Sequence, residues 1–520
     1  MASATPHEQL RYDRRLLGAE VRLLIISPSP DALLPLECRL QHADLDAAPS
    51  YEALSYVWGN PNERREFQCD DVTISSTSSL YTAPLRLRLA DDARTIWADA
   101  ICINQEDLDE RAHQVTLMGR IYSQAESVVV WLGSDDVENN ASTAAVALQS
   151  VFDACMALEA RWKKLPRDLE SRRPFFQENF TEPESDYLIR TPIFHTSESI
   201  YEETLQATDP RDKVYGVLNL VEEGPLRDSI VIDYKQSVDK VYADTALEII
   251  RASSNLTILA VVDHDVDFAG EIARYTWAPR WNEDNRPMPL IDHDEDRIAA
   301  AGTTGPIGLD SDHLTLEGIP LGKVVSIDMV LDDIKMKDKA APDIRNPILT
   351  LWNKVMGSKK WMWTSLEMAE TLTTGDGFSD LELGIGEAAA VRRWHLWDSF
   401  IAMIEHLFEV TGQENTTDYK MHIIPNDGGE RSRYEALMWR ACDQRRIIWL
   451  DNHCYGLGPA CIREGDYAVL LAGGQTPFAL RQTEDGYIFL GSVYIQKVVD
   501  EGLIERLRDG NKELRNYRLI

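Results

Sequence analysis

The sequence predicts an α/β domain with a parallel sheet at the N-terminal end, a mainly helical middle region, and a small antiparallel β domain towards the C-terminal end. Three observations predict this order. A strand, an amphipathic helix and a second strand follow one another within 94–133. The segment 140–260 has mainly helical periodicity. From 445 to 495, short apolar runs recur at even spacing between Gly and Pro turns.

The N-terminal domain begins with short apolar segments. Residues 19–41 predict two strands around a Ser/Pro turn, and 50–60 predicts a third strand that stops at the turn signal Gly59-Asn60. The stretch RTIWADAICI at 94–103 is nearly all apolar, which is typical of a strand buried on both faces. These runs supply the first strands of the predicted sheet.

A helix follows the strand at 94–103. Asp107 and Glu110 have the spacing of a capping box, with Asp in place of the usual Ser or Thr. Apolar residues then recur at steps of three and four as far as residue 125, so they form one helical stripe. SVVVWLG at 127–133 is the next strand. Strand, helix and strand within about 40 residues predict a right-handed, parallel βαβ unit.

The remaining elements complete a plan of domains. Helices are predicted at 140–162, 208–221, 238–253, 343–370, 387–413 and 435–442. Strands are predicted at 313–330, 445–451, 466–473, 477–483 and 487–495. The plan has a lead-in at 1–19, an α/β domain at 20–190, a helical region at 191–312, a β domain at 313–334 and 431–505, and a helical insertion at 335–430.

Composition narrows the classes of function. The 520 residues carry 86 acidic and 53 basic side chains, a net charge of -33, so the surface repels phosphate backbones and nucleic acid is not an expected partner. No run approaches the roughly 20 apolar residues of a membrane span. The seven cysteines are irregularly spaced, and the N-terminus lacks the apolar core of a signal peptide. We therefore expect a soluble, cytoplasmic protein with reduced thiols.

Polar residues follow three predicted strands at the point where each ends. In open α/β sheets, ligands bind in the crevice outside the carboxyl ends of the strands. If these three strands are parallel neighbours, the turns meet at one rim, built from Ser55, Trp58, Gly59, Asn104, Gln105, Asp107 and Gly133.

At such a rim, Trp58 would stack on a flat ring, and Asn104 and Gln105 would form hydrogen bonds. The acids would bind ribose hydroxyls or stabilise a cation. The alternative is that Asn104 and Asp107 only cap the helix and that Trp58 only packs.

Two side chains within 94–103 need a separate explanation. Cys102 lies between two isoleucines, and free cysteine is among the most buried residue types, so we interpret Cys102 as core packing and not as a nucleophile. Asp99 is an acid in an apolar run and needs a partner, for which Arg111 and Arg120 are candidates. No metal site is predicted.

The same segments resemble the fungal heterokaryon incompatibility (HET) domain. The motifs that carry the resemblance are YEALSYVWG at 51–59, WADAICINQED at 97–107, the spacing of Glu110, Arg111 and Gln114, and VVVWLG at 128–133. TDPRDKVYGVLNL, TWAPRWN and the tail from RRIIWLD to GSVYI resemble segments that often accompany this domain. Ala98 departs from the family, which usually has a bulkier aliphatic residue there; this is a change in packing.

The resemblance implies a role in fungal nonself recognition, with the HET domain as the part that triggers programmed cell death. It also implies protein partners or self-association through that domain. Within the motifs, it suggests structural roles for Asp99, Cys102, Glu110, Arg111 and Gln114. A regulatory or scaffold role without lethality is a further alternative.

The HET domain is in turn considered distantly similar to TIR domains, which have a flavodoxin-like fold and some of which cleave NAD at the glycosidic bond. This similarity implies NAD as a candidate substrate, and no cofactor is assigned. Such a reaction needs a carboxylate and an aromatic wall. The acids that follow the third strand are Glu138, Asp135 and Asp136, and they are the catalytic candidates implied by the resemblance.

Overall fold

A computed structural model describes most of the chain outside one long internal stretch. The described residues are 12–31, 34–47, 49–56, 58–60, 62–70, 72–131, 207–218, 221, 224–268, 275–283, 290, 308–310, 313–331, 346–356, 365–374, 389–416, 428–496 and 514–520. They fall into two compact units. The first lies within Met1–Glu222 and Val231–Gln236, and the second within Glu223–Ile230 and Ser237–Ile520.

The first unit contains a mixed sheet with helices. Its strands are β1 (Glu20–Ile26), β2 (Glu37–Asp44), β3 (Glu52–Tyr56), β4 (Arg64–Cys69), β5 (Val72–Thr77), β6 (Arg94–Trp97) and β7 (Ser127–Trp131). Its helices are α1 (Ser78–Leu87), α2 (Asp99–Cys102), α3 (Leu108–Gln124) and α4 (Asp212–Leu218).

The strand order in this sheet is β5-β4-β2-β1-β6-β3-β7. The strands β6, β3 and β7 are parallel neighbours, as the crevice prediction requires. However, β1 runs antiparallel to both β2 and β6, and β4 pairs antiparallel with β5. The expectation of a wholly parallel sheet is therefore wrong, because a β1–β2 hairpin occupies the centre of the sheet.

The predicted strand at 94–103 is shorter in the structure. It ends at Trp97, and a single helical turn, α2, follows. The Asp99 carboxylate accepts a hydrogen bond from the Ala100 backbone N–H at 2.8 Å, which gives the chain a local alternative to strand pairing. The turn buries Ile101 and Cys102 together. A buried turn therefore accounts for the apolar residues that suggest a strand.

Residues ahead of β1 contribute to the same unit. Leu16 is buried, and its N–H donates to the Glu110 carboxylate at 3.1 Å. The Tyr12 hydroxyl donates to the Ile101 carbonyl at 3.0 Å. Part of the predicted lead-in at 1–19 thus packs on α2 and α3.

The second unit is built from helices and a β-rich part. Its helices are α5 (Pro225–Ser229), α6 (Val238–Ser253), α7 (Pro347–Met356), α8 (Ser365–Leu372), α9 (Ala389–Thr411) and α10 (Gly428–Cys442). Its strands are β8 (Gly308–Asp310), β9 (His313–Leu331), β10 (Arg445–Leu450), β11 (Tyr455–Pro459), β12 (Tyr467–Leu471), β13 (Phe478–Gln482), β14 (Tyr487–Ser492), β15 (Tyr494–Ile495) and β16 (Arg515–Leu519).

The 19-residue strand β9 organises this β region. It pairs with β16, then with β12, and then with β10 along its length. Because β12, β13, β14 and β16 also pair one after another, these four strands and β9 form a closed ring. The predicted β region is confirmed, but it is not wholly antiparallel, because β14 and β16 run parallel. Phe478 and Phe489 pack within its core, with ring centroids 5.2 Å apart.

Candidate functional site

The carboxyl ends of β3 and β6 bring two predicted rim turns together. Ala53 of β3 is the register partner of Trp97 in β6, so β3 extends beyond the end of β6. The chain then continues from β3 to Trp58 and from β6 to Asp99. The Trp58 indole Nε1–H donates to Asp99 Oδ2 at 3.1 Å. The two motifs that surround these residues therefore meet at one carboxylate.

Asp99 is held by neutral groups. Besides the Trp58 indole and the Ala100 N–H, the Tyr56 hydroxyl lies beside its carboxylate. The Gln105 side-chain amide donates to the Asp99 backbone carbonyl at 2.9 Å. We call Tyr56, Trp58, Asp99 and Gln105 the strand-end cluster.

Burial raises the pKa of the Asp99 carboxyl above its ordinary value of 3.8. The hydrogen bonds from Trp58 and Ala100 oppose this shift, and the negative charge of Asp212 adds to it. The surroundings of Asp99 therefore destabilise the ionised form of its carboxyl group.

The expected arginine partners of Asp99 bind other acids. Arg111 donates to Asp209 at 3.1 Å and to Asp212 at 2.6 Å, and Arg120 donates to Asp46 at 2.7 Å. Asp99 is satisfied without a cation, because an indole and a backbone N–H donate to its two oxygens.

Glu110 holds the turn that precedes α3. It is buried and accepts from the Arg22 guanidinium at 2.6 and 3.1 Å, and from the backbone N–H of Asn104 at 2.8 Å. Gln114 is also buried, and it donates to the Glu20 carbonyl at 2.8 Å. These side chains fix α3 and the turn before it against β1.

Two rim residues form hydrogen bonds with the backbone close to them in the sequence. Asp107 caps α3, since its carboxylate accepts from the N–H groups of Asp109 and Glu110 at 3.1 and 3.2 Å. Asn104 likewise turns the chain, because its side-chain oxygen accepts from the Glu106 N–H at 3.2 Å. Both contacts agree with the capping alternative for these residues.

Of two other rim residues, one lies on the turn after β3 and one lies within β3. Gly59 has a φ of +75°, and a Cβ added there would lie 2.8 Å from Ser79 Oγ, so glycine suits this position. Ser55 is partly buried in β3, one residue before Tyr56.

Cys102 lies in the core behind the cluster. Its side chain is buried, and its Sγ accepts from the Ala98 N–H at 3.3 Å. Burial raises the pKa of the thiol to about 12, so almost none of it is thiolate at neutral pH. This environment fits packing.

The third predicted turn follows β7 in the chain. Gly133, Asp135, Asp136 and Glu138, together with the predicted helix at 140–162, lie outside the described residues.

Two acids that follow residue 206, Asp209 and Asp212, contact Arg111 of α3. For the segment that contains Asp209 and Asp212, sequence analysis predicts only a helix at 208–221. Their pairing with Arg111 spans 98 and 101 residues, and no periodicity indicates it. Tyr234 was missed for the same reason.

Two features are absent from the described residues. Across these residues, no helix has the length and apolar character needed to cross a membrane. In the same part of the chain, no three His, Cys, Asp or Glu side chains lie together in a way that could hold a metal ion.

The region that contains the strand-end cluster is similar to known proteins. Residues 51–191 match the family model described as heterokaryon incompatibility protein (HET). The chain is also 38% identical over 129 residues to heterokaryon incompatibility protein 6, OR allele, of Neurospora crassa. That alignment covers 22% of this chain and 19% of the relative. No solved structure matches the chain.

Proposed function

We propose that this chain, which carries a HET domain, acts in fungal nonself recognition, and that its HET domain triggers cell death when incompatible cells fuse. One observation carries the proposal: the range 51–191 that matches the family contains every residue of the strand-end cluster. The relative's name supports the same role. Because the chain spans only 19% of that relative, the activity of the whole protein is part of the proposal.

The cluster supports an active role for the domain. A carboxyl group that is costly to ionise lies beside a partly exposed indole at the carboxyl ends of parallel strands. Helix capping does not require this arrangement, because Asp107 already caps α3. The cluster lies at the carboxyl ends of parallel strands, where ligands bind in open α/β sheets.

Expression of the full chain in a filamentous fungus tests the proposal. We expect wild-type protein to kill the cells, and Val115→Asp to abolish killing, because it places a charge at a buried position of α3. Thr116→Asp is the matched control, since Thr116 is exposed on the same helix and should leave killing intact. Survival of cells with abundant, folded wild-type protein would contradict the proposal and favour a regulatory or scaffold role.

A second candidate function is NAD glycohydrolysis by a TIR-like crevice. The observation that favours it is the pairing of a carboxylate, Asp99, with an indole, Trp58. In this reaction the bond between ribose C1′ and the nicotinamide nitrogen breaks, with its electron pair leaving on nitrogen. A water oxygen bonds to C1′, and its proton passes to solvent. A carboxylate stabilises the cationic centre that develops at C1′.

Nicotinamide release from NAD by the purified full chain tests this candidate. We expect wild-type protein to release nicotinamide and Asp99→Asn to lose most of the activity. Asp135→Ala, Asp136→Ala and Glu138→Ala test the acids implied by the resemblance, and we expect each active one to reduce release. Absence of release from both the monomer and an induced oligomer would eliminate the enzymatic candidate and leave the signalling proposal standing.

A further inference from the structure

A segment outside the range matched by the family model packs on helix α3 of the first unit. It comprises residues 207–218 and 231–236, and we call it the strap. Arg111 of α3 donates to Asp209 of the strap at 3.1 Å and to Asp212 at 2.6 Å. Only 14% of the Arg111 side chain is exposed, so solvent ions screen these ion pairs weakly.

Tyr234 and Lys235 attach the second half of the strap to the same helix. The Arg111 guanidinium lies 3.8 Å from the centroid of the Tyr234 ring, and the Tyr234 hydroxyl donates to Asp212. Lys235 forms an ion pair with Asp109, which lies in the first turn of α3. Two halves of the strap that are separated in the sequence are therefore attached to the same end of α3.

Arg211 joins these two halves to each other. Its side chain donates to both carboxylate oxygens of Asp209 at 2.9 Å and to the Gln236 carbonyl at 2.9 Å, and it also donates to the Tyr234 carbonyl. All of these acceptors belong to the strap. A substitution of Arg211 should therefore affect α3 through the strap.

The attached end of α3 continues into the turn that carries Gln105 of the strand-end cluster. The Arg111 backbone N–H donates to the Asp107 carbonyl at 2.8 Å, and the Asp107 N–H donates to the Asn104 carbonyl at 3.2 Å. The Gln105 side chain in turn donates to the Asp99 carbonyl at 2.9 Å. A contiguous set of contacts thus leads from the strap to the cluster, as coupling between two sites requires.

The strap is also where the chain passes between the two units. The chain leaves the first unit after Glu222, returns to it at Val231 and leaves it again after Gln236. Helix α5, which lies between the two halves of the strap, belongs to the second unit. Any displacement of α5, or of the chain after Gln236, would therefore pull on the strap.

We infer that the strap is a regulatory connection, through which displacement of the chain in the second unit loosens the turn at 104–107 beside the strand-end cluster. Arg111 is the residue at which the strap is fastened to α3. The inference rests on the proposed function for its biological meaning, because it describes how the rest of the chain controls the cluster. It also extends the functional part of the first unit beyond the range 51–191.

Hydrogen–deuterium exchange of the full chain, measured by mass spectrometry, tests this connection. The N–H groups of Asn104, Glu106 and Asp107 all form hydrogen bonds, so their exchange reports on the turn. We expect Arg111→Met to accelerate exchange of both the strap and the turn by about tenfold or more, because it removes charged hydrogen bonds that fasten the strap.

Arg211→Met is the more specific variant, because the hydrogen bonds of Arg211 lie within the strap. We expect it to accelerate exchange of the strap and also of the turn at 104–107. Faster exchange of the strap with unchanged exchange of the turn would overturn the inference. Unchanged exchange of the strap itself would overturn it as well, since the strap would then not depend on the contacts that join its halves.

Arg120→Met is the matched control. It removes a guanidinium from α3 whose partner, Asp46, is exposed, and we expect exchange of the strap and the turn to equal that of the wild type. In all variants, exchange of the amides of β1 and β2 should stay at the wild-type rate. Faster exchange of these strands in Arg211→Met would show general unfolding of the first unit and would contradict a local connection.

The result is separable from the proposed function. If the turn responds to Arg211→Met but wild-type protein does not kill fungal cells, the connection stands and the proposed function fails. If wild-type protein kills but the turn does not respond, the proposed function stands and the connection fails. If wild-type protein kills and the turn responds, we expect Arg211→Met to reduce killing, and killing at the wild-type rate would contradict control of the cluster by the strap.

Discussion

Asp99 shows how a fold can retain an acid in an apolar segment with few charges nearby. Its carboxylate oxygens accept from an indole and a backbone N–H, and each of these donors is fixed by the chain around it. The sequence identified Asp99 as unusual, because a buried acid needs a partner. It could not identify that partner, since Trp58 lies 41 residues away and aromatic side chains are more often core than donors.

At this scale we predict a pH effect of Asp99→Asn on stability. The pKa of Asp99 is raised in the folded state. Above about pH 3.8, Asp99 therefore keeps its proton in a larger fraction of folded than of unfolded molecules. The free energy of unfolding of the wild type therefore falls as the pH rises through this window, and the loss persists above it. Asparagine does not ionise, so the variant should lack this fall.

Urea unfolding of both proteins at about pH 4 and pH 8 measures this effect. We expect the stability of the variant relative to the wild type to increase between the two pH values. A relative stability that is constant or decreases would show that the folded state does not disfavour the Asp99 charge.

At the scale of elements, the start of α3 joins three parts of the first unit. Asp107 caps the helix and accepts from Arg15 at 2.7 and 2.8 Å, and Glu110 pairs with Arg22 of β1. The sequence predicted the Asp107 cap from local spacing. Spacing also suggested that Glu110 returns to the cap residue, but in the structure it binds Arg22 and the Asn104 N–H, because a buried cation was available.

We predict that Glu110→Gln destabilises this unit by about 3–5 kcal/mol, because it leaves the Arg22 guanidinium buried without a charged partner. Urea unfolding measures the loss of stability. Protection of the α3 amides from hydrogen exchange shows whether that loss affects α3. Asp46→Asn, which breaks an exposed pair with Arg120, should cost no more than about 1 kcal/mol. Equal costs for the two variants would contradict a structural role for the buried pair.

Helices and strands were predictable where the pattern that indicates them involves residues close together in the sequence. Helix α3 and strand β7 were anticipated within a few residues, since periodicity and capping are local. The turn α2 was mistaken for strand, because an apolar run suits either structure when both faces are buried. Strands β4 and β5 were not anticipated, since RREFQC and VTISST alternate only weakly.

At the scale of the whole molecule, the order α/β, helical and β was predictable from patterns alone. The position of β1 in the centre of the first sheet was not, because antiparallel pairing of β1 with both β2 and β6 leaves no mark in a single sequence. The packing of residues 231–236 in the first unit was not predictable either. It depends on contacts with Arg111 and Arg211, which are distant in the sequence.

We predict that a fragment limited to residues 51–191 does not fold by itself. It lacks β1 and β2, the central hairpin of the sheet, and leaves Glu110 without Arg22. A fragment of residues 1–236 contains these elements and Asp212, and we expect it to be protease-resistant. Limited proteolysis and circular dichroism of the two fragments measure the difference. A stably folded 51–191 fragment would contradict the importance that we assign to the hairpin.

The central claim is that the strand-end cluster drives the activity that we propose for the region matched by the family model, 51–191. The most direct measurement is the viability of fungal cells that express wild-type protein, Asp99→Asn, or Asp46→Asn as a surface control, at matched protein levels. We predict death with the wild type and the control, and survival with Asp99→Asn although that variant remains folded. Death of cells expressing folded Asp99→Asn at the wild-type rate would contradict the claim.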